Sequence, residues 1–285
     1  MLSRLPRRAG LWMAFFLIGG PAIWLAGRAV LDYRYEATFN DRVDEIIGLI
    51  DLPKSASFRG KVDAVRVFVN DHSQDKIDHV FHAMNGDGVA FAEGLIAHAR
   101  DPAVERVHME CSTRANLMGR ILRRLDIKTR TIALFATTGR FSSHSFLDVY
   151  NPDRKTWETV DPDYDLYWIA KSTGERVSLA EAANDLDDLE PCGRDRCGWD
   201  LVSRDDNSPR SLLDKLDILS VTDKEVDVRY AVYTPRADLS RKLSFRGETG
   251  TFCEMFPKRC RDGFYAMGDP ATRTVTSSSV GGSTQ

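Results

Sequence analysis

The chain has 285 residues, of which 42% are hydrophobic and 28% are charged. This composition is typical of a globular protein with an apolar core. Its formal net charge is -3 at pH 7. Because such a chain offers no broad basic surface for a phosphate backbone, nucleic acid is not expected as a partner.

The first 31 residues differ in composition from the rest of the chain. Three arginines among the first eight residues precede an uncharged run over residues 11–27. As a helix this run would be roughly 26 Å long, near the short end of a membrane span. We predict an uncleaved membrane anchor over residues 1–31, and a signal peptide cleaved near residue 27 is the alternative. In both cases residues 32–285 lie outside the cytoplasm, which places a single-pass protein in the cell membrane with a periplasmic domain.

The five cysteines are informative in an exported chain, because an oxidising compartment favours paired thiols. Cys192 and Cys197 lie in one polar loop, and Cys253 and Cys260 lie in another. Two disulfides among these four are predicted, with all three connectivities open. A structural zinc site is the competing interpretation, although the spacing of the four cysteines fits it poorly. Cys111 remains as the free thiol.

The spacing of apolar residues predicts a helical first half. Residues 32–60 are predicted to form a juxtamembrane region whose helix, over 31–52, ends before Pro53. Helical spacing continues over 61–70 and 89–100. A further helix is predicted over 111–125, because its apolar residues recur at steps of three and four.

Strand patterns follow that helix. Residues 129–136 are β-branched and apolar, and residues 143–150 and 157–161 flank a turn, which predicts a hairpin anchored in the core by Trp157 and Trp168. Beyond it we predict a C-terminal extension over 171–270, with a helix at 179–189, a helix at 211–219 and a strand at 226–233. Residues 271–285 are predicted to be disordered. The predicted fold class is α+β.

Cys111 stands at the start of a predicted helix. A cysteine is nucleophilic as the thiolate, which a helix N-terminus and a nearby imidazolium both stabilise. Of the six histidines, His144 lies in a strand just downstream and is the candidate general base. If the hairpin pairs residues whose numbers sum to 305 or 307, Asp161 lies on the same face as His144. An even sum would place the two on opposite faces.

Two segments carry these three residues in order: ECSTRANLMGRILRRLDIKTR and SSHSFLDVYNPDRKTWETVDPDYDLYW. They resemble the transglutaminase-like superfamily of papain-type cysteine enzymes over roughly residues 60–170, and we place the catalytic core at 61–170. The resemblance implies a nucleophile helix packed on an antiparallel sheet, and no cofactor. It implies that Cys111 is the nucleophile, His144 the general base and Asp161 its orienting partner. The chain departs from the family pattern at Glu110 before the nucleophile, and at Ser145-Phe146, where a tryptophan is more familiar.

Residues beside the triad are candidates for substrate binding. These are Glu110, Arg114, Asp163 and Tyr164, for which a role as solvated neighbours is the alternative. Metal binding is a weaker possibility. The pairs His108 with Cys111 and His79 with His82 lack convincing further ligands, so no metal is expected.

The predicted activity is acyl transfer from an amide bond of a protein or peptide substrate, through a thioester on Cys111. Water, at roughly 55 M, is a better acceptor than an amine unless the cleft excludes solvent, so a peptidase or amidase is favoured over a cross-linking enzyme. The alternative from a different class is a non-catalytic envelope scaffold or binding module that keeps the fold. The other expected partner is the membrane, through the N-terminal segment.

Overall fold

The computed structural model describes residues 20–53, 55–136, 142–178, 187–202, 208–214, 218–223 and 228–233. Its helices are α1 Gly20–Leu49, α2 Phe58–His72, α3 His79–Met84, α4 Gly88–Arg100, α5 Cys111–Arg124 and α6 Pro209–Asp214. Its first five strands are β1 Ser73–Asp75, β2 Val107–Met109, β3 Thr129–Ala136, β4 Ser142–Asn151 and β5 Thr156–Asp161. The remaining strands are β6 Leu166–Ala170, β7 Glu175–Arg176, β8 Leu189–Cys192, β9 Ile218–Asp223 and β10 Val228–Tyr233. The fold class is therefore α+β, as predicted.

The sheet is antiparallel and places β4 near its middle. Within the described residues its eight strands follow the order β10-β9-β3-β4-β5-β6-β7, and β8 also pairs with β6. Strands β1 and β2 form a separate parallel pair. The predicted hairpin is confirmed, since β4 and β5 are antiparallel neighbours joined by a short turn.

Helix α5 packs against β3 and β4 through its apolar face. Met118 and Ile121 are fully buried, and they share one hydrophobic cluster with Val149 of β4. Val43 and Ile46 of α1 belong to the same cluster. The predicted juxtamembrane region 32–60 and the predicted core 61–170 therefore share a single apolar core, because the last turns of α1 bury their apolar face against it.

Helix α1 is longer at its N-terminal end than predicted, and residues 24–38 are all exposed. Residues 1–19, which include most of the predicted anchor, lie outside the described residues. Within the part of the chain that the structure describes, no helix combines the length and the apolar character that a membrane span requires.

Two C-terminal predictions were wrong in part. The helix predicted over 179–189 cannot reach its end, because Leu189 begins β8, and residues 179–186 lie outside the described residues. The helix predicted over 211–219 ends at Asp214, and Ile218 begins β9. Short apolar runs suit either element, and here pairing with β3 selects the strand. The strand predicted over 226–233 is present as β10, whereas Cys253, Cys260 and the predicted tail 271–285 fall outside the described residues.

Candidate functional site

Cys111 is the first residue of α5, as the sequence predicted. Buried strand β2 precedes it and pairs with β1, so the start of the helix is fixed in place. Glu110 has extended backbone angles, and its side chain accepts a hydrogen bond from Ser112 Oγ at 2.5 Å instead of capping the helix. The half-buried, unpaired thiol therefore lies at the positive end of a 14-residue helix.

The register of the β4-β5 hairpin brings His144 and Asp161 together. Leu147 pairs with Val160, so the paired residue numbers sum to 307 and the predicted odd register is confirmed. His144 and Asp161 are consequently diagonal neighbours on one face of the sheet. The distance from His144 Nε2 to Asp161 Oδ2 is 2.8 Å.

Asp161 is held on all sides. It is completely buried, and its Oδ1 accepts hydrogen bonds from the backbone N–H groups of Asp163 at 2.9 Å and Tyr164 at 3.2 Å. These bonds close a tight turn directly after β5. Because one carboxylate oxygen is fixed by the turn, the other is directed at His144, and the imidazole ring is oriented in turn.

His144 is 2% exposed, hydrogen-bonds to Asp161 and lies near enough to Cys111 for the thiol to influence its pKa. Its Nε2 is occupied by Asp161, so Nδ1 is the nitrogen available to the thiol. Burial lowers the pKa of His144, but the charge and hydrogen bond of Asp161 and the interaction with Cys111 outweigh it, so the pKa is raised well above its usual value. The three side chains thus lie in the order thiol, imidazole and carboxylate.

A second carboxylate, Asp163, lies beside the imidazole. Its Oδ1 accepts a hydrogen bond from Arg114 Nη1 at 2.6 Å, and its Oδ2 is 4.0 Å from His144 Nδ1. Burial raises the pKa of Asp163 to about 6, while His144 lowers it, Asp161 raises it and Arg114 lowers it.

Arg114, predicted to contact substrate, is 3% exposed and belongs to this buried group. The position of Arg114 in α5 explains this burial. Arg114 stands three residues after Cys111, so it lies on the same face of α5, which is directed at the sheet.

Glu110 and Tyr164 lie next to Cys111 and His144, respectively. The ring of Tyr164 meets the imidazole of His144 edge-on, with 5.3 Å between ring centroids. Glu110, Ser112 and Thr113 line one end of a cleft of about 350 Å³ that runs along α5. Phe39 and Phe91 are among the residues of its other walls, from α1 and α4.

The turn after Asp161 is held by two residues of α2 that no sequence pattern indicated. Asn70 Nδ2 on α2 donates to the carbonyl oxygens of Pro162 at 3.1 Å and Asp163 at 3.0 Å. Arg66, one helical turn earlier, forms an ion pair with Asp165. These contacts join residues more than 90 positions apart, and the sequence pattern holds no signal of such pairs.

The Cys192–Cys197 pair is a disulfide, which confirms one of the predicted pairings and excludes zinc at these two residues. The disulfide closes a short loop that carries Arg194. Arg194 binds Asp71 at 2.6 Å and also binds Asp165 in the turn beside the site. The disulfide loop is therefore attached to the site, a link that the separate C-terminal extension of the sequence analysis did not include.

The two candidate metal-binding pairs were His108 with Cys111 and His79 with His82. His108 Nδ1 contacts Asp78 and its Nε2 contacts Glu105, each at 2.9 Å. His79 and His82 are exposed on α3. Across the described ranges, no group of three or more His, Cys, Asp or Glu side chains is arranged to hold a metal ion.

Comparisons with known proteins assign no family. No family model matches the chain, and no curated protein matches it. A structure of Rad4-Rad23 bound to a 6-4 photoproduct UV lesion is similar at 10% identity and a TM-score of 0.37, over 89% of this chain and 55% of that chain. A structure of Rad4-Rad23 crosslinked to undamaged DNA has 12% identity and a TM-score of 0.37, over 98% of this chain and 60% of that chain. The chain thus spans less than two thirds of either match, and similarity at this level does not assign a fold.

Proposed function

We propose that this chain is a membrane-anchored, extracytoplasmic cysteine hydrolase of the transglutaminase-like superfamily that cleaves amide bonds in a protein or peptide. The observation that carries the proposal is the position of His144, with Nε2 at 2.8 Å from Asp161 and with Cys111, at the N-terminus of α5, near enough to help raise the pKa of the imidazole. A nucleophile, a base and an orienting carboxylate in this order form the arrangement that nucleophilic catalysis needs.

In the proposed mechanism, Cys111 as thiolate attacks the amide carbonyl carbon while His144 is protonated. The tetrahedral oxyanion accepts a hydrogen bond from the backbone N–H of Cys111. The C–N bond then breaks, His144 gives its proton to the departing amine, and a thioester remains. Water, deprotonated by His144, attacks the thioester and releases the acid and Cys111. Asp161 keeps the imidazole oriented throughout.

The cleft of about 350 Å³ along α5 has Glu110 in its lining but none of Cys111, His144, Asp161 and Tyr164, so it is not assigned to the substrate. Glu110 and Tyr164 are proposed to contact the substrate near the reacting bond.

The proposal is tested first by alkylation of the unreduced, exported protein with iodoacetamide across pH. We expect one thiol to react per chain, we expect it to be Cys111, and we expect reaction to begin below pH 7. His144→Ala should move the onset to higher pH, because the imidazolium is lost. His108→Gln is the matched control, since His108 is also buried but lies outside the site, and it should leave the profile unchanged.

A Cys111 that reacts only near pH 8.5, the ordinary range of a cysteine thiol, would contradict the proposal. So would Cys111→Ala and His144→Ala proteins that support the cellular role as well as the wild type does. That second result would favour the non-catalytic scaffold. Equal reactivity of several thiols would contradict the prediction of two disulfides.

A further inference from the structure

Beside the triad lies a buried ion pair that the mechanism above does not use. We propose that Arg114 and Asp163 are positioning residues for His144: Asp163 places a second negative charge at the Nδ1 edge of the imidazolium, and Arg114 holds it there. This inference rests on the proposed function and explains how the same site stabilises the protonated form of His144.

The distances separate the roles of the two carboxylates. Asp161 is hydrogen-bonded to His144 Nε2 at 2.8 Å, whereas Asp163 Oδ2 is 4.0 Å from Nδ1. A gap of 4.0 Å is too long for a hydrogen bond but short for a charge interaction. Asp163 therefore favours the imidazolium without accepting a hydrogen bond from Nδ1.

Arg114 restrains Asp163 from the other side. Its Nη1 is 2.6 Å from Asp163 Oδ1 and 3.2 Å from the backbone oxygen of the same residue. Arg114 belongs to the helix that begins at Cys111. The ion pair therefore fixes the position of Asp163 relative to Cys111. Asn70 fixes the same turn from α2.

The pair is not arranged for maximum stability. Arg114 Nε is buried without a hydrogen-bond partner among the described residues. Burial raises the pKa of Asp163 from 3.8 to about 6, so the folded state binds this proton more tightly than the unfolded state does. Stability from this group is present below pH 3.8 and is lost as pH rises toward 6. At neutral pH the fold thus carries a destabilising buried charge, which is a common feature of functional sites.

The charges around the two groups are few. Asp163 is influenced by His144, Asp161, Arg114 and Asp75 of β1. His144 is in contact with Cys111 from α5, with Asp161 at the end of β5 and with the ring of Tyr164. Of the two carboxylates closest to His144, Asp161 remains when Asp163 is replaced, so the imidazolium should be weakened and not abolished.

The test compares Asp163→Asn with Asp165→Asn in the full chain. Asparagine at 163 keeps the shape and an oxygen for Arg114 but loses the charge. We expect the alkaline limb of kcat/KM to move to lower pH by about one unit, with KM within about twofold of wild type. Asp165 is in the same turn but binds Arg66 and Arg194, so Asp165→Asn should leave the limb in place.

The titration of the His144 ring by NMR repeats the test without substrate and should shift in the same direction. If Asp163→Asn does not fold, Asp163→Ser removes the charge with a smaller side chain. An unchanged limb together with an unchanged His144 titration would overturn the inference, and the proposed function would stand if Cys111→Ala still abolished turnover. Turnover that survives Cys111→Ala would instead overturn the proposed function.

Discussion

Strand β4 carries two buried charged residues, His144 and Asp148, four positions apart on one face. Asp148 Oδ2 accepts hydrogen bonds from Arg130 Nε at 3.0 Å, Arg130 Nη2 at 2.9 Å and Ser178 Oγ at 2.9 Å. Its Oδ1 accepts one from Thr159 Oγ1 at 2.7 Å. We call these four residues the Asp148 cluster. Both carboxylate oxygens of Asp148 accept hydrogen bonds, so we expect the cluster to stabilise the fold.

The group around His144 is equally buried but less completely bonded. Asp163 has one oxygen at 4.0 Å from the imidazole, and Arg114 Nε has no partner among the described residues. The comparison teaches that burial of charge does not by itself indicate function. A site is better recognised by charges that are close together yet incompletely satisfied, because such groups can change protonation state.

The largest effect expected from breaking either group is on turnover. His144→Ala removes the base and should lower kcat by about two to four orders of magnitude, and it should also lower the free energy of unfolding, because it leaves Asp161 buried without its imidazole partner. Steady-state kinetics on an amide substrate and urea unfolding measure the two quantities. A variant that unfolds easily but keeps its kcat would place His144 in the structural category with Asp148.

In the Asp148 cluster, a substitution is expected to change stability and not turnover. Arg130→Met leaves Asp148 buried without its main partner and should lower the free energy of unfolding by about 3–5 kcal/mol, with the pH dependence of turnover unchanged. Arg124→Met is the matched control, because its ion pair with Asp44 is exposed and screened by solvent, so its loss should change the free energy of unfolding very little. Equal losses of unfolding free energy in both variants would show that the buried Arg130–Asp148 ion pair stabilises the fold no more than an exposed pair does.

A smaller effect is expected at the disulfide loop, which joins the C-terminal segment to the site. Replacing Cys192 and Cys197 by serine should lower the free energy of unfolding by about 2 kcal/mol, because the closed loop is short. Denaturant unfolding without reductant measures this. Arg194→Gln, with the disulfide intact, should cost less, since Arg194 is 42% exposed. A larger loss from Arg194→Gln would mean that the ion pairs, and not the disulfide, anchor this loop.

The smallest effect concerns His108, a buried histidine outside both groups. Hydrogen bonds that His108 donates to Asp78 and Glu105 raise its pKa, so its stabilising contribution is complete below pH 6.5 and is lost as pH rises through the folded-state pKa. His108→Gln should therefore flatten the dependence of unfolding free energy on pH above 6.5. Thermal melts between pH 6 and 9 measure the slope, and an unchanged slope would contradict the assignment.

The sequence by itself determined the elements around the site. The helix at 111–124, the strand at 129–136 and the hairpin that follows were recognisable because each has a strong, regular apolar period. The pattern also limited the hairpin to two kinds of register, one of which joins His144 to Asp161. These are local properties, and each of them is encoded within about twenty residues.

Only the tertiary structure decided the rest. It buried Arg114 against Asp163, tied the turn after Asp161 to Asn70, and attached the disulfide loop through Arg194. These contacts join residues that are 49, 93 and 29 positions apart in sequence, respectively. Their formation depends on how the helices dock on the sheet, and docking follows from packing of the whole core, which no local period of apolar residues encodes.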